Sequence, residues 1–150
     1  MLHPETPWRI SIAHTGGLGM LALSPFRIGV DVERLRALRP EEFAGAAFTR
    51  AERRALDAEP DDAARTRLAL RCWTRKESVL KAAGIGITVD LTSVETRGWA
   101  PGPALVTTEV SGSAATWRVY DAPVPDGWTA SVALPAAAHR PPSVRELVRE

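Results

Sequence analysis

The sequence predicts an α+β fold in which an antiparallel β-meander packs on a long central helix. Three observations support this class. Short runs that alternate between apolar and polar residues occur near both ends of the chain, as is typical of half-buried strands. A long helix-compatible stretch lies between them and stops at Gly84. Glycine and proline turns separate the short runs, which is the pattern of antiparallel strands.

The composition of the chain excludes several classes of protein. The 150 residues suit one domain, with residues 1–7 and 136–150 expected at its periphery. A hydrophobic fraction of 45% and a charged fraction of 25% exclude wholesale disorder. We expect no membrane partner, because no apolar run is long enough to cross a bilayer, and no nucleic-acid partner, because the net charge is only +1. The single cysteine, Cys72, indicates a reducing, cytoplasmic location.

Three strands are predicted at the start of the chain, and we expect them to form a three-stranded meander at residues 8–13, 18–23 and 27–33. Between the first two, Gly16 and Gly17 follow His14 and Thr15, and glycine supplies the positive φ that a tight turn needs. In the third strand the period of two separates the side chains into an apolar face of Ile28, Val30 and Val32 and an opposite face of Gly29, Asp31 and Glu33.

Helices are predicted next. Pro40 can start a short helix over 41–47, because proline suits the first helical position. Thr49 begins a capping-box pattern that opens a helix to about residue 58. A longer helix begins after Pro60 with an acidic pair and runs to about residue 83, where Gly84 ends it. Four further short strands are predicted, at residues 89–95, 104–110, 116–120 and 129–134.

Two carboxylates lie two residues apart on the third predicted strand. Asp31 and Glu33 therefore project from the same face. Neighbouring carboxylates repel each other unless a cation or a shared proton lies between them, and oxygen ligands suit Mg²⁺. The solvated polar face of an edge strand also explains the pair, so this motif alone leaves both interpretations open.

The long helix carries a second candidate group. Trp73, Glu77 and Lys81 recur at intervals of four and share one stripe of the helix. A glutamate four residues before a lysine is also a common helix-stabilising pair, and a tryptophan or a lone cysteine is commonly part of a core. The chain has 17 arginines but only two lysines, and both, Lys76 and Lys81, fall in this segment.

Together these motifs resemble the signatures of the 4′-phosphopantetheinyl transferase superfamily. Ile28-Gly29-Val30-Asp31-Val32-Glu33 is similar to the family's (I/V)-G-(I/V)-D-(I/V)-E. Trp73-Thr74-Arg75-Lys76-Glu77-Ser78-Val79-Leu80-Lys81 is similar to its (F/W)-x-x-K-E-(A/S)-x-x-K, and the two motifs are separated by 39 residues, close to the family's spacing. Ser11-Ile12-Ala13-His14-Thr15 resembles the S-H-(S/T) strand end of the family, with Ala13 where serine is frequent, and Gly84-Ile85-Gly86 continues the match.

The resemblance implies a 4′-phosphopantetheinyl transferase-like fold and a Mg²⁺-dependent reaction. Enzymes of this family move the phosphopantetheine arm of coenzyme A to a serine of an acyl or peptidyl carrier protein and release adenosine 3′,5′-bisphosphate. By resemblance, Asp31, Glu33 and Glu77 hold the metal, with Glu33 acting directly or through a water. Glu77, or a water that it holds, accepts the serine proton, and Lys81 neutralises phosphate charge.

The resemblance also implies contacts to coenzyme A and to the carrier. His14 would contact a phosphate, Thr15 and the following glycines would offer backbone N–H groups, and Lys76 would reach a phosphate or an outer carboxylate. A surface histidine in a simple hairpin turn is the alternative. An acidic carrier helix would dock on exposed basic residues, although acids are interleaved with them; these basic residues are Arg34, Arg36, Arg39, Arg50, Arg53 and Arg54.

Motif order and length point to different classes within the family, because the length is closer to that of the shorter holo-acyl-carrier-protein synthases. The order is that of surfactin-type transferases, which serve fatty acid, polyketide or nonribosomal peptide biosynthesis and have an N-terminal half that this chain mostly lacks. We expect self-association of the chain to complete the coenzyme A site; alternatively, a monomer would bind only the pyrophosphate and pantetheine. Two other functions remain open: a degenerate homologue that binds coenzyme A or a carrier without transfer, and a different metal-dependent phosphate enzyme.

Overall fold

The computed structural model describes residues 8–37, 48–85, 90–110, 112–138 and 140–145. Within them lie six strands, two α-helices and one short 3-10 helix. The strands are β1 (Arg9–Thr15), β2 (Leu18–Ser24), β3 (Gly29–Arg34), β4 (Ala104–Val110), β5 (Ser113–Asp121) and β6 (Trp128–Pro135). The helices are α1 (Arg50–Ala58), α2 (Asp62–Ala83) and the 3-10 helix Leu91–Ser93. The α+β class and the long central helix are confirmed.

The strands form two antiparallel sheets rather than the predicted opening meander. β1 and β2 make a separate two-stranded hairpin, and β3 joins a four-stranded sheet in the order β3-β6-β5-β4. The prediction that the first three strands form one meander is therefore wrong, whereas β4, β5 and β6 do follow one another as a meander. Alternation of side chains fixes which face of a strand is buried, but it does not identify the neighbouring strand.

The four-stranded sheet is covered on both faces. The hairpin packs on one face, where Val30 and Val32 of β3 join Ala13 of β1 in a buried apolar cluster. Helix α2 packs on the other face through Val79 and Ala82. Because side chains alternate along β3, Asp31 and Glu33 point to the side of the helix. The packing therefore directs the strand carboxylates toward α2.

Side-chain caps set the helix ends as the sequence predicts. Thr49 accepts the backbone N–H of Glu52, and the Glu52 side chain accepts that of Thr49, which completes the capping box of α1. Asp61 caps the start of α2, and Gly84 ends it with a φ of 68°. The predicted helix over 41–47 lies outside the described residues. Among the described residues, no helix has both the length and the apolarity needed to cross a bilayer.

The strand predicted over 89–95 is wrong for the part that is described. A 3-10 helix occupies Leu91–Ser93, and its cap is Asp90, whose side chain accepts both the backbone N–H and the hydroxyl of Thr92. Lys76 of α2 donates to the carbonyl of Leu91 at 2.7 Å. Side chains thus bind part of the backbone of this segment, and Val94, the buried apolar residue after it, packs in one cluster with Val79 and Ala82 of α2.

Candidate active site

A close approach of α2 to β3 determines the geometry of the candidate site. A Cβ added to Gly29 would collide with the carbonyl oxygen of Ser78 and would lie 2.5 Å from the backbone nitrogen of Ala82. Only glycine allows the two backbones to come so near. Gly29 of the strand motif is therefore required by the packing of β3 on α2, and this packing brings the short side chain of Asp31 within reach of the helix.

Lys81 joins three elements at this point. Its ammonium donates to the carbonyl of Val30 on β3 at 3.0 Å and to that of Ile12 on β1 at 3.3 Å. It also forms an ion pair with Asp31, whose Oδ1 lies 3.5 Å away. These three acceptors match in number the three N–H donors of the Lys81 ammonium group. Because 35% of the side chain remains exposed, the charge of Lys81 still faces solvent beside the carboxylates.

Asp31 is the most perturbed group of the site. Burial raises its pKa to about 7, and the nearby carboxylates of Glu33 and Glu77 add to this against the attraction of Lys81. Its Oδ2 atom is buried and has no hydrogen-bond partner among the described residues. A buried, unpartnered carboxylate oxygen is costly unless something binds it. The solvated polar face that would also explain the motif is therefore not what the structure shows at Asp31.

The two glutamates lie within electrostatic range of Asp31. Burial raises the pKa of the half-buried Glu77; the positive charge of Lys81 opposes this increase, and the charge of Glu33 adds a smaller one. The three predicted metal ligands thus influence one another. They do not form a ready cage, since no three His, Cys, Asp or Glu side chains in the described part of the chain are arranged to hold a metal ion.

The hairpin end forms the neighbouring wall. β1 extends to Thr15, so His14 and Thr15 lie at the strand end, and Gly16 and Gly17 make the turn with φ values of 47° and 91°. His14 is exposed and Thr15 is half-buried. The turn explains both glycines. The phosphate contacts of His14 and Thr15 stay predictions, supported by the bond between Lys81 and the carbonyl of Ile12 in the same strand.

Of the two contacts that the resemblance implies for Lys76, a phosphate or an outer carboxylate, its position does not agree with the phosphate contact. Its side chain is 1% exposed, and its ammonium lies 2.7 Å from Oε1 of Glu52, which is itself fully buried. The structure therefore places Lys76 in a buried ion pair between α1 and α2. Glu52 also accepts a hydrogen bond from the hydroxyl of Thr96. Glu52, one of the acids interleaved with the predicted basic docking residues, is thus the buried partner of a motif lysine.

Cys72 lies in the same interior. The residue has no exposed surface, and burial, followed by the charge of Glu52, raises the pKa of its thiol to about 12. A thiol with so high a pKa is protonated at neutral pH and is a poor nucleophile. The interpretation of Cys72 as a small buried core residue is confirmed.

Two structural residues were missed by the sequence analysis. Ser11 is buried, and its hydroxyl accepts the backbone N–H of Val30 at 3.0 Å, which ties β1 to β3 just beside Lys81. A serine at an inward position of a strand was the available signal. Arg27 donates to the carbonyl of Ala83 and so binds the end of α2. Both contacts fix the elements that carry the site.

The exposed arginines agree in part with the predicted docking surface. Arg39 lies outside the described residues, and the exposure of the others is consistent with the prediction; these are Arg34, Arg36, Arg50, Arg53 and Arg54. Arg34 lies beside the hairpin turn, since its Cδ would be 3.0 Å from a Cβ on Gly16. Docking of a carrier protein there stays a prediction.

We expect Asp31→Asn to stabilise the metal-free protein at pH 8. The pKa of Asp31 is raised in the folded state, so the folded protein binds this proton more tightly than the unfolded chain, and stability falls as pH rises from about 4 to 7. Asparagine removes the buried charge. Urea unfolding with a chelator present should show a gain of up to about 4 kcal/mol at pH 8, since one pKa unit is about 1.4 kcal/mol.

At pH 4 the gain should vanish, because Asp31 is then protonated in the folded wild type. Asp126→Asn, at an exposed turn position, is the matched control and should leave the pH dependence of stability unchanged. A gain that is equal at pH 4 and pH 8 would show that the charge of Asp31 is not the destabilising factor.

Comparison with known proteins gives one family. The family model described as the 4′-phosphopantetheinyl transferase superfamily matches residues 27–133, more than two thirds of the chain. No curated protein gives a significant match. The matched region starts just before β3 and ends within β6, so it contains Asp31, Glu33, Glu77 and Lys81 but not the hairpin with His14.

Proposed function

Because the chain belongs to the 4′-phosphopantetheinyl transferase superfamily, we propose that it transfers the phosphopantetheine arm of coenzyme A to a serine of an acyl or peptidyl carrier protein. The product released would be adenosine 3′,5′-bisphosphate. The observation that carries the proposal is the position of Asp31, buried beside Lys81 and within the field of Glu77. An arrangement that raises carboxylate pKa values in this way is typical of catalytic sites.

The site residues fit a divalent cation. The Oδ2 atom of Asp31, which has no hydrogen-bond partner within the described part of the chain, provides a buried anionic ligand, and Glu33 and Glu77 are the carboxylates whose charge acts on Asp31. Mg²⁺ is commonly held by one or two carboxylates together with water and substrate phosphates, so a closed cage of three protein ligands is not required. When bound, Mg²⁺ would supply charge stabilisation for the pyrophosphate of coenzyme A.

The serine oxygen forms a bond to the phosphorus that bears the pantetheine arm. The bond between this phosphorus and the bridging oxygen of the pyrophosphate breaks, and adenosine 3′,5′-bisphosphate leaves. Glu77, or a water that it holds, accepts the serine proton, and its raised pKa makes it a stronger base than an ordinary glutamate. Lys81 provides positive charge near the leaving phosphate. Since its three donors are already engaged, it acts from a fixed position and needs little reorganisation.

The direct test is incubation of the protein with apo carrier protein, coenzyme A and Mg²⁺, followed by intact mass spectrometry of the carrier. We expect the carrier to gain the mass of one phosphopantetheine group. Replacement of the acceptor serine by alanine is the control for specific modification. No mass gain with acyl and peptidyl carriers from fatty acid, polyketide and nonribosomal peptide systems would overturn the proposal.

Calorimetric titration with coenzyme A separates transfer from binding alone. Binding of coenzyme A without a mass gain on any carrier would favour the degenerate homologue.

We also propose that the enzyme acts in the cytoplasm, since its fully buried thiol has no partner cysteine in the sequence. Self-association that completes the coenzyme A site stays a prediction, and the docking of the carrier on the exposed arginines does so as well.

A further inference from the structure

The outer face of the β1–β2 hairpin exposes large apolar side chains. The hairpin face is made of Trp8, Ile10, Ile12, Leu21 and Leu23, each between 54% and 64% exposed. Ile10 lies opposite Leu23 and Ile12 opposite Leu21 in the strand register, so these side chains are direct cross-strand neighbours. They form one continuous surface.

Both faces of the hairpin are apolar. On the inner face Ala13 is buried, and Leu18 and Met20 pack against the same core cluster. An antiparallel sheet with one solvated face normally places polar residues on that face. The apolar outer face therefore indicates that this surface is covered in the working protein.

The size of the face suits a second copy of the chain. Five side chains that each expose about 100 Å² give roughly 500 Å², which is near the upper end for the largest apolar patch of a monomer. Two such faces in contact would bury about 1,000 Å², and their rims would bring this to the 1,200–2,000 Å² of a stable interface. Phe26, which is 52% exposed just after β2, adds to the rim.

Charge also favours an apolar partner. The five residues of the hairpin face carry no ionisable group; His14, which follows them in the same alternation of β1, borders the face at the hairpin turn. Arg9 belongs to the opposite alternation of β1, and Arg27 is bonded to the carbonyl of Ala83. An acidic partner helix or an anionic lipid surface would require basic side chains on the same face. An identical apolar face meets no such mismatch, and a two-fold axis makes one face its own complement.

We propose that the hairpin face is the contact surface of a two-fold symmetric dimer of this chain. The interface is continuous with the candidate site, because Ile12 contributes its side chain to the face and its carbonyl to Lys81. A second copy would therefore lie directly beside the wall formed by β1. The inference rests on the surface and not on the proposed transfer activity.

The test is the mass of the full chain in solution, measured by light scattering and by sedimentation equilibrium over micromolar concentrations. We expect a dimer for the wild type. Leu21→Lys should raise the dissociation constant about 100-fold or more, because each dimer contains the change twice at its centre. Leu105→Lys is the matched control, since Leu105 is a leucine of similar exposure on the edge strand β4 (55%, against 64% for Leu21), and it should leave the dimer intact.

Two outcomes would overturn the proposal. The first is a wild type that is monomeric at about 100 µM, a concentration about 100-fold above a micromolar Kd. The second is a dimer that Leu105→Lys weakens as much as Leu21→Lys does. Binding of the monomer to anionic vesicles or to apo carrier through Leu21 would identify another occupant and would also overturn it. Circular dichroism shows whether each variant folds. If Leu21→Lys does not fold, the mass of the wild type still tests the dimer.

The two proposals can fail separately. A dimer that does not transfer phosphopantetheine would contradict only the proposed function, and a strict monomer that does transfer it would contradict only the proposed dimer.

Discussion

Glu77→Gln is expected to lower the rate of phosphopantetheine transfer by about 10²–10⁴-fold, the range in which a general base contributes. Glutamine keeps the size of the half-buried side chain but cannot accept the serine proton. It also removes a charge that raises the pKa of Asp31, so the loss of activity should occur without a loss of folding stability. Single-turnover rates of carrier modification, measured at saturating coenzyme A, give this effect directly.

The matched control is Glu59→Gln. Glu59 is another half-buried glutamate, and it follows the end of α1, away from Asp31 and Lys81. Its replacement should change the transfer rate less than about threefold, as expected for a substitution outside the site. If Glu77→Gln transferred at the wild-type rate, Glu77 would be neither base nor metal ligand, even in an active enzyme.

Local elements were predictable because their determinants lie close together in sequence. The capping box of α1 needs only Thr49 and Glu52, and the end of α2 needs only the left-handed conformation of Gly84. The hairpin turn likewise requires two adjacent residues with positive φ. The family match over residues 27–133 agrees with the motifs read from the strand and the helix.

Long-range partners were not predictable from alternation alone. β3 pairs with β6, about one hundred residues later in the chain, and a period of two contains no information about this choice. The residues after Asp90 alternate in the sequence as a strand does. In the structure, however, Lys76 donates a hydrogen bond to the carbonyl of Leu91, and the hydroxyl of Thr96 donates one to Glu52. Contacts from distant side chains therefore decide the conformation that local propensity leaves open.

The two lysines show the same limit within the candidate site. Both occupy positions of the helix motif, five residues apart; the resemblance implies a phosphate contact for Lys81 and a phosphate or an outer carboxylate for Lys76. On a helix a separation of five turns the side chains to different sides. Lys81 accordingly faces Asp31 and the strand carbonyls, while Lys76 enters the interior and meets Glu52. Glu52 could not be identified as that partner because its capping role already explained it.

Lys76→Met is expected to destabilise the protein by about 3–5 kcal/mol, because it leaves the fully buried charge of Glu52 without its partner. Methionine fills a similar volume, so the loss would come mainly from charge. Urea unfolding measures the effect. The double variant Glu52→Gln with Lys76→Met should lose less than the sum of the single variants, since it removes both buried charges. Asp62→Asn breaks the exposed pair with Arg65 and should cost less than about 1 kcal/mol.

Transfer kinetics separate this structural role from the phosphate contact that the sequence suggests. If Lys76 acts only as a buried ion-pair partner, the folded fraction of Lys76→Met should keep the wild-type KM for coenzyme A, because its ammonium lies 2.7 Å from Glu52 and not at the surface. A lysine that binds phosphate would show the reverse, a raised KM at unchanged stability. Since Lys81→Met removes the exposed charge, it should raise KM or lower kcat, and the pair of variants therefore assigns each lysine its own role.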